Sequence, residues 1–246
     1  MAASSSRQGP SGAHRPRGLA AARPLPRRQG LADDVHEAIK ALLMDHEIEP
    51  GARISIDGLA RQLQVSPTPV REALARLESA QLVTKEPLRG YRATALLTRD
   101  ELTDLYQFRL LIEPWAARCA AERATARDRR QLRHEMSTTQ LPRSRSYEAY
   151  KALAAHDTRL HVLIAELSGS ERVRQAFERT HCHMHIFRLG YHRQIGAETL
   201  AEHERIVDAI VRGDPAGAER AMREHLETSC HQRLVPLYDA AGQGTG

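Results

Sequence analysis

The segment Thr98-Arg-Asp-Glu101 constrains this chain most, because apolar residues follow different periodicities on its two sides. A Thr followed three residues later by Glu is a capping box, in which two backbone N–H groups left open at a helix start are satisfied reciprocally. Beyond it, apolar residues recur at helical spacing, first at Leu102, Leu105, Phe108, Ile112 and Trp115, and strand-like alternation does not reappear. The pattern predicts further helices at about 127–140, 146–168, 171–192, 198–212 and 215–235, punctuated by Gly169, Gly196 and Gly213-Asp214-Pro215. Helices that long with short polar breaks imply an antiparallel bundle of six to seven helices, with Tyr106, Phe108 and Trp115 read as core.

Before Thr98 the pattern is mixed. Val35, Ile39, Leu42 and Leu43 mark a helix, and Pro50-Gly51 breaks it. Leu59, Leu63 and Val65 mark a short second helix starting near Asp57. Ser66 stands as an N-cap with Pro67 at the first helical position, and Val70, Leu74 and Leu77 form the stripe of a third helix that Ala80-Gln81 closes. Two short strands, Leu82–Leu88 and Tyr91–Leu96, follow around Arg89-Gly90. Two short helices joined by a tight turn, with a hairpin behind them, form a winged helix-turn-helix. The fold class is therefore mostly α: a winged helix-turn-helix over 29–97 and an all-α bundle over 98–238. A disordered basic tail is expected over 1–28 and a second tail over 239–246, frayed from Ala241.

Charge supports this division only when read locally. The net charge is +5, but residues 1–28 hold six arginines and no acid, leaving the other 218 residues at about −1. That tail is either a solvated extension, an over-early start, or a basic arm adding non-specific phosphate affinity. From Arg61 to Arg92 six basic residues face three acids, a balance of +3 suited to tracking a phosphate backbone. Cys119, Cys182 and Cys230 are far apart and odd in number, which argues against a disulfide framework and for a reducing, cytoplasmic setting. No apolar run approaches the roughly 18 residues of a membrane span, so no membrane partner is expected.

The segment Asp57-Gly-Leu-Ala-Arg-Gln-Leu-Gln-Val-Ser-Pro-Thr-Pro-Val-Arg-Glu-Ala-Leu-Ala-Arg-Leu77 resembles the signature of the GntR superfamily, with Pro50-Gly51 and Arg89-Gly90 in family register. The resemblance implies that the helix starting at Ser66 enters the major groove of double-stranded DNA. Thr68 and Arg71 would reach phosphates or base edges, and Arg71 is the candidate for a bidentate contact to guanine. Arg61 and Arg76 add basic charge, while Arg89 and Gly90 would bring the wing to the minor groove. Two positions depart from the family: Pro67 stands where many members have Arg, and Gln81 where Gly is usual.

Ten of the thirteen histidines lie after residue 130. Asp157 and His161, four residues apart, project from one helix face. His203 and His225 flank the Gly213-Asp214-Pro215 turn almost symmetrically, so in an antiparallel pair they lie at one height, roughly 15 Å from the loop. Three helices can thus aim four ligands at one point, although each residue alone could equally be a solvated or satisfied polar group. Several segments resemble the FCD effector domain of the FadR subfamily: Arg109-Leu-Leu-Ile-Glu113, His156-Asp-Thr-Arg-Leu-His161, Ser168-Gly-Ser170, Glu202-His-Glu-Arg-Ile206 and Ala221-Met-Arg-Glu-His-Leu226. Its metal-binding branch implies Asp157, His161, His203 and His225 as ligands of a divalent ion. The donor set suits Zn, Ni, Mn or Fe without choosing among them.

The resemblance further implies a small carboxylate effector at the open metal positions. Arg109 is the candidate clamp. The helix expected over 171–192 carries His181, His183, His185, Arg188 and His192, of which His183, His185 and Arg188 are candidates to line the pocket. Ser170 replaces the Asn usual after the Ser-Gly pair. The expected function is a ligand-responsive regulator, a repressor acting as a homodimer on a palindromic operator. The alternative is a regulator for which the ion itself is the signal. Catalysis is not expected, since no general base stands at a defined spacing from the four ligands.

Overall fold

A computed structural model describes residues 29–139, 147–190 and 196–242. The basic tail of 1–28, His192 and the end of the C-terminal tail lie outside the described residues. The N-terminal part is α1 (Gln29–Met44), β1 (Arg53–Ile54), α2 (Ile56–Gln62), α3 (Pro67–Ser79), β2 (Val83–Glu86) and β3 (Gly90–Ala93). Val35, Ile39 and Leu43 of α1 pack on Val70, Leu74 and Leu77 of α3, so the expected stripes meet in one core. Ser55 caps α2 by accepting from the Gly58 N–H at 3.0 Å. The hairpin gains a third strand that alternation could not reveal. β1 is only two residues long, yet it pairs antiparallel with Tyr91 and Arg92, giving the order β1-β3-β2.

α3 ends in a Schellman motif: Leu82 N–H bonds the Leu77 carbonyl at 3.0 Å and Gln81 N–H that of Glu78 at 2.9 Å. This puts Gln81 in the left-handed region at φ 58°. At the wing tip, Gly90 has φ 88°, a conformation that most residues reach only with strain.

The rest is helical: α4 (Arg99–Arg123), α5 (Ala126–Thr138), α6 (Tyr147–Leu167), α7 (Glu171–Glu178), α8 (Cys182–Gly190), α9 (Gly196–Arg212), α10 (Pro215–Glu227), a π-helical segment (Thr228–Leu234) and α11 (Val235–Gly242). The Thr98–Glu101 capping box starts α4, and a second, Thr125–Asp128, starts α5. α4 runs through the bundle against α6, α9 and α10, and its Leu102, Tyr106, Ala117 and Ala120 share a core with Ile164, Ile206, Ile210 and Met222.

Four expectations change. The helix read over 171–192 is two helices, because His181 turns left-handed (φ 45°) and the Thr180 hydroxyl bonds the Phe177 carbonyl at 2.7 Å. The helix read over 215–235 passes into a π segment at Thr228. α11 stays helical through Gly242, where fraying was expected. Trp115, read as core, is 43% exposed, while Tyr106 is buried.

Candidate functional site

α6 carries Asp157 and His161, α9 carries His203, and α10 carries His225. One ligand atom from each lies within 4.8 Å of the others. The ring centroids of His161 and His203 are 5.3 Å apart, those of His161 and His225 5.3 Å, and those of His203 and His225 4.8 Å. Asp157 Oδ1 stands 3.3 Å from His203 Nε2 and 3.8 Å from His161 Nε2. All three imidazoles are buried, and the Nε2 atoms of His161 and His203 have no hydrogen-bond partner. A buried polar atom left unpaired costs about 1–3 kcal/mol. Two such atoms aimed at a carboxylate are what a cation would satisfy, so the donor set fits a divalent metal.

The outward nitrogens supply the missing reason for this orientation. His161 Nδ1 is hydrogen-bonded to Glu113, which Arg109 Nε holds at 2.5 Å. His225 Nδ1 bonds Glu202 at 2.7 Å, and Arg233 forks onto the same carboxylate at 2.6 and 2.7 Å. His203 Nδ1 meets His156 Nε2 at 3.1 Å, and His156 Nδ1 meets Glu135 at 2.9 Å. Each relay ends on a carboxylate, so Nδ1–H donates outward and the Nε2 lone pair faces inward. Asp157 has an outer partner too, because its Oδ2 bonds His183 Nδ1.

The electrostatics agree. Burial pushes the His161 pKa down to about 3 and that of His225 to about 4, keeping both imidazoles neutral donors. Burial would raise the Glu113 carboxyl, but Arg109 and His161 outweigh it and hold it below the ordinary carboxylate range. At Asp157, burial is likewise outweighed, by His183 and then by hydrogen bonds and His161.

Sequence reasoning assigned no role to Glu113, Glu202, His156, Glu135 or Arg233. Two signals were available: His156 and Glu202 directly precede ligand positions, and Arg109 and Glu113 are four apart on one helix.

A small cavity of about 50 Å³ adjoins the cluster, lined by Tyr106, Arg109, Tyr150, Asp157, His225 and Ser229 among others. The π segment helps shape it, since Ser229 lies there and its hydroxyl is 2.7 Å from that of Tyr106. Of the four residues expected to receive an effector, Arg109 alone lines this cavity, and part of its guanidinium is engaged by Glu113. The break at His181 redirects the others. His183 bonds Asp157, His185 is half-buried away from the cavity, and Arg188 leaves the bundle altogether. The Arg188 fork bonds Thr94 Oγ1 at 2.8 Å and the Thr94 carbonyl at 2.9 Å, just after β3. Met184 packs against the N-terminal core, and Lys151 of α6 pairs with Glu37 of α1 at 2.8 Å. Ser170, where Asn was expected, caps α7 by accepting from the Val173 N–H at 3.3 Å.

On the N-terminal domain, Arg61, Ser66, Thr68 and Arg71 are exposed around the start of α3, and Arg89 and Gly90 sit at the wing tip beside fully exposed Leu88. Arg61, Arg71 and Arg89 form no ion pair with any described residue. Ser66 occupies the N-cap position without a side-chain cap bond. Arg76 instead reaches back to Asp33 of α1 at 2.6 Å.

Comparison with known proteins adds two family matches: the FCD domain over residues 104–228, and bacterial regulatory proteins of the gntR family over residues 31–92. The chain is 24% identical over 197 residues to the HTH-type transcriptional regulator YdhC of Bacillus subtilis (strain 168), covering 79% of this chain and 87% of that protein. It is 27% identical over 214 residues to the HTH-type transcriptional regulator LutR of the same organism, covering 75% and 93%. The solved structure of McbR/YncC from E. coli shares the fold, with a TM-score of 0.60 at 22% identity over 86% of this chain and 98% of that one. Among the described residues, no helix is long and apolar enough to cross a membrane.

Proposed function

The chain belongs to the FCD-domain family and carries a DNA-binding domain of the gntR family, and from that premise we propose that it is a ligand-responsive transcriptional repressor, sensing a small organic acid at a divalent metal. Residues 29–97 form the DNA reader and 98–238 the sensor. One observation carries the metal half: two buried, unpartnered Nε2 atoms, on His161 and His203, face the Asp157 carboxylate beside His225. Asp157, His161, His203 and His225 would hold the ion, which would supply a Lewis-acidic centre for an effector carboxylate. The adjoining cavity admits a few water-sized groups, which suits a short carboxylate. Arg109 and the Tyr106 and Ser229 hydroxyls supply the polar contacts there.

The reader meets DNA through the start of α3. Ser66, Thr68 and Arg71 face the major groove, Arg61 its phosphates, and Arg89 and Gly90 the minor groove. Arg76 adds basic charge on the same helix, its exposed pair with Asp33 holding it only weakly. Two copies address a palindrome.

The contact Asp157–His183, continued by Arg188–Thr94, favours a second reading in which the ion alone is the signal, because neither His183 nor Arg188 lines the cavity. One experiment separates the two. The protein is stripped with chelator, reloaded with each candidate metal, and melted with and without a panel of short organic acids. A ligand at 100 times its dissociation constant stabilises by about 2.7 kcal/mol. Acid-dependent stabilisation that needs metal and is absent in Asp157→Ala supports effector sensing. Metal-dependent stabilisation with no acid response supports the ion-sensing reading. An acid response that survives in Asp157→Ala would refute the metal-mediated mechanism.

A further inference from the structure

The tip of the wing carries two costs that nothing in the free protein offsets. β2 and β3 pair as far as Glu86 and Gly90, so Pro87, Leu88 and Arg89 are the whole loop. The Arg89 N–H bonds the Glu86 carbonyl at 3.0 Å, and Leu88 turns left-handed at φ 62°. Pro at the second place and a left-handed residue at the third is the order of a type II turn, whose third place takes Gly or Asn. A Leu there is strained by its own Cβ. Leu88 is also fully exposed, so its side chain gains nothing by packing. Single exposed apolar residues are ordinary on a protein surface. Leu31, Leu111 and Trp115 are exposed too, but each lies on helical backbone. Among these four, Leu88 alone is both strained and bare. A backbone outlier that the free molecule does not use points to a state that does use it.

The surroundings of Leu88 indicate that state. Lys85, just before the loop, and Arg89, within it, are exposed and form no ion pair with any described residue. The acid nearest the tip, Glu86, is occupied by Arg92 at 2.8 Å. The tip is therefore an apolar point flanked by free cations. Pro87 fixes its own φ, and the strands behind it hold the loop in place, so little order is lost when the tip meets a partner. Cations suit phosphates, and an apolar point between them suits the gap between two stacked bases. We propose that Leu88 is a wedge that enters a base step from the minor groove, partly unstacks it and kinks the duplex. This role rests on the reading of residues 29–97 as a DNA reader and goes beyond it: Arg89 and Gly90 bring the wing to the groove, and Leu88 deforms what lies there. The wedge selects a deformable pyrimidine–purine step without a hydrogen bond to either base.

The probe for the test is a duplex that the full-length wild type selects from a randomised pool. Binding is followed by fluorescence anisotropy, bending by energy transfer between the duplex ends, and unstacking by a fluorescent base analogue at the step under the wing. Leu88→Asn suits the turn and removes the wedge. Its melting midpoint is expected at or above that of the wild type, while it binds the duplex about ten-fold more weakly, leaves it straighter and keeps the analogue stacked. Leu88→Met keeps an apolar tip and retains both affinity and bend. Replacing the step by a stiff A-tract weakens the wild type and leaves Leu88→Asn unchanged. An unbent duplex in the wild-type complex, or a Leu88→Asn that binds and bends as the wild type does, overturns the proposal. Arg71→Ala tells the two readings apart. If it abolishes binding while Leu88→Asn changes nothing, the reader stands and the wedge falls. If the wild type enriches no duplex from the pool, the reader itself fails and the wedge with it.

Discussion

Gln81 sits in a left-handed conformation at the exit of the recognition helix, where an L-residue with a Cβ pays about 1–2 kcal/mol. The Schellman bonds around it are complete, so the strain is local to its backbone. Gln81→Gly is expected to stabilise the reader by about 1 kcal/mol, measured by chemical denaturation; an unchanged or lower midpoint would mean that the side chain contributes a contact that offsets the strain. At the proposed metal centre the same scale concerns the outer carboxylates. Glu202 orients His225 and is itself clamped by Arg233. Glu202→Gln keeps the shape but removes the charge that fixes the imidazole tautomer. Metal affinity, measured by competition with a chromophoric chelator, should fall about 10–100-fold. Unchanged affinity would make Glu202 a bystander. Spacing only suggested that these four side chains converge, since Asp157 and His161 are four apart and His203 and His225 mirror each other across a turn; it was the FCD resemblance that implied them as ligands, and the structure brings them together. The outer carboxylates were not legible, because Glu113 and Glu135 come from helices whose approach to α6 no spacing within α6 encodes.

α8 joins the two halves alongside the Lys151–Glu37 pair between α6 and α1. Its nine residues present His183 to Asp157, Met184 to the core of the reader, and Arg188 to Thr94. The Arg188 guanidinium is engaged by Thr94 and does not line the cavity beside the four-residue cluster. Removing it should leave the metal centre intact and cut the link. With metal added, hydrogen exchange of the backbone around Thr94–Leu97 is expected to slow in the wild type and to stay fast in Arg188→Ala, although both bind the ion equally. Equal slowing in both would assign the coupling to another contact, the Lys151–Glu37 pair being the alternative. The sequence hid this element because Thr180-His181 contains neither Gly nor Pro, and apolar periodicity runs on across the break. β1 was hidden for a different reason: two residues cannot display alternation, and they become a strand only by pairing with β3. The capping boxes at Thr98 and Thr125, by contrast, are local chemistry, and Thr98-Arg-Asp-Glu101 could be read directly.

At the scale of the whole molecule, α6, α9 and α10 meet at a polar cluster placed within the bundle core. Without a cation, the unpartnered nitrogens of His161 and His203 weaken the junction that closes the bundle. The reader has a separate core, from Val35 to Ala93, that contains none of these groups. Metal should therefore stabilise the bundle selectively. The only tryptophan, Trp115, lies on α4 and reports bundle unfolding by itself. At metal 100-fold above its dissociation constant, the roughly 2.7 kcal/mol gained corresponds to a shift of about 5–10 °C in a chain of this length. Chelation should lower the Trp115 fluorescence midpoint by that amount in the wild type and leave Asp157→Ala where it already was. If chelation shifts Asp157→Ala as far as the wild type, the ion sits elsewhere, and the convergence of three helices on Asp157 must have another physical cause.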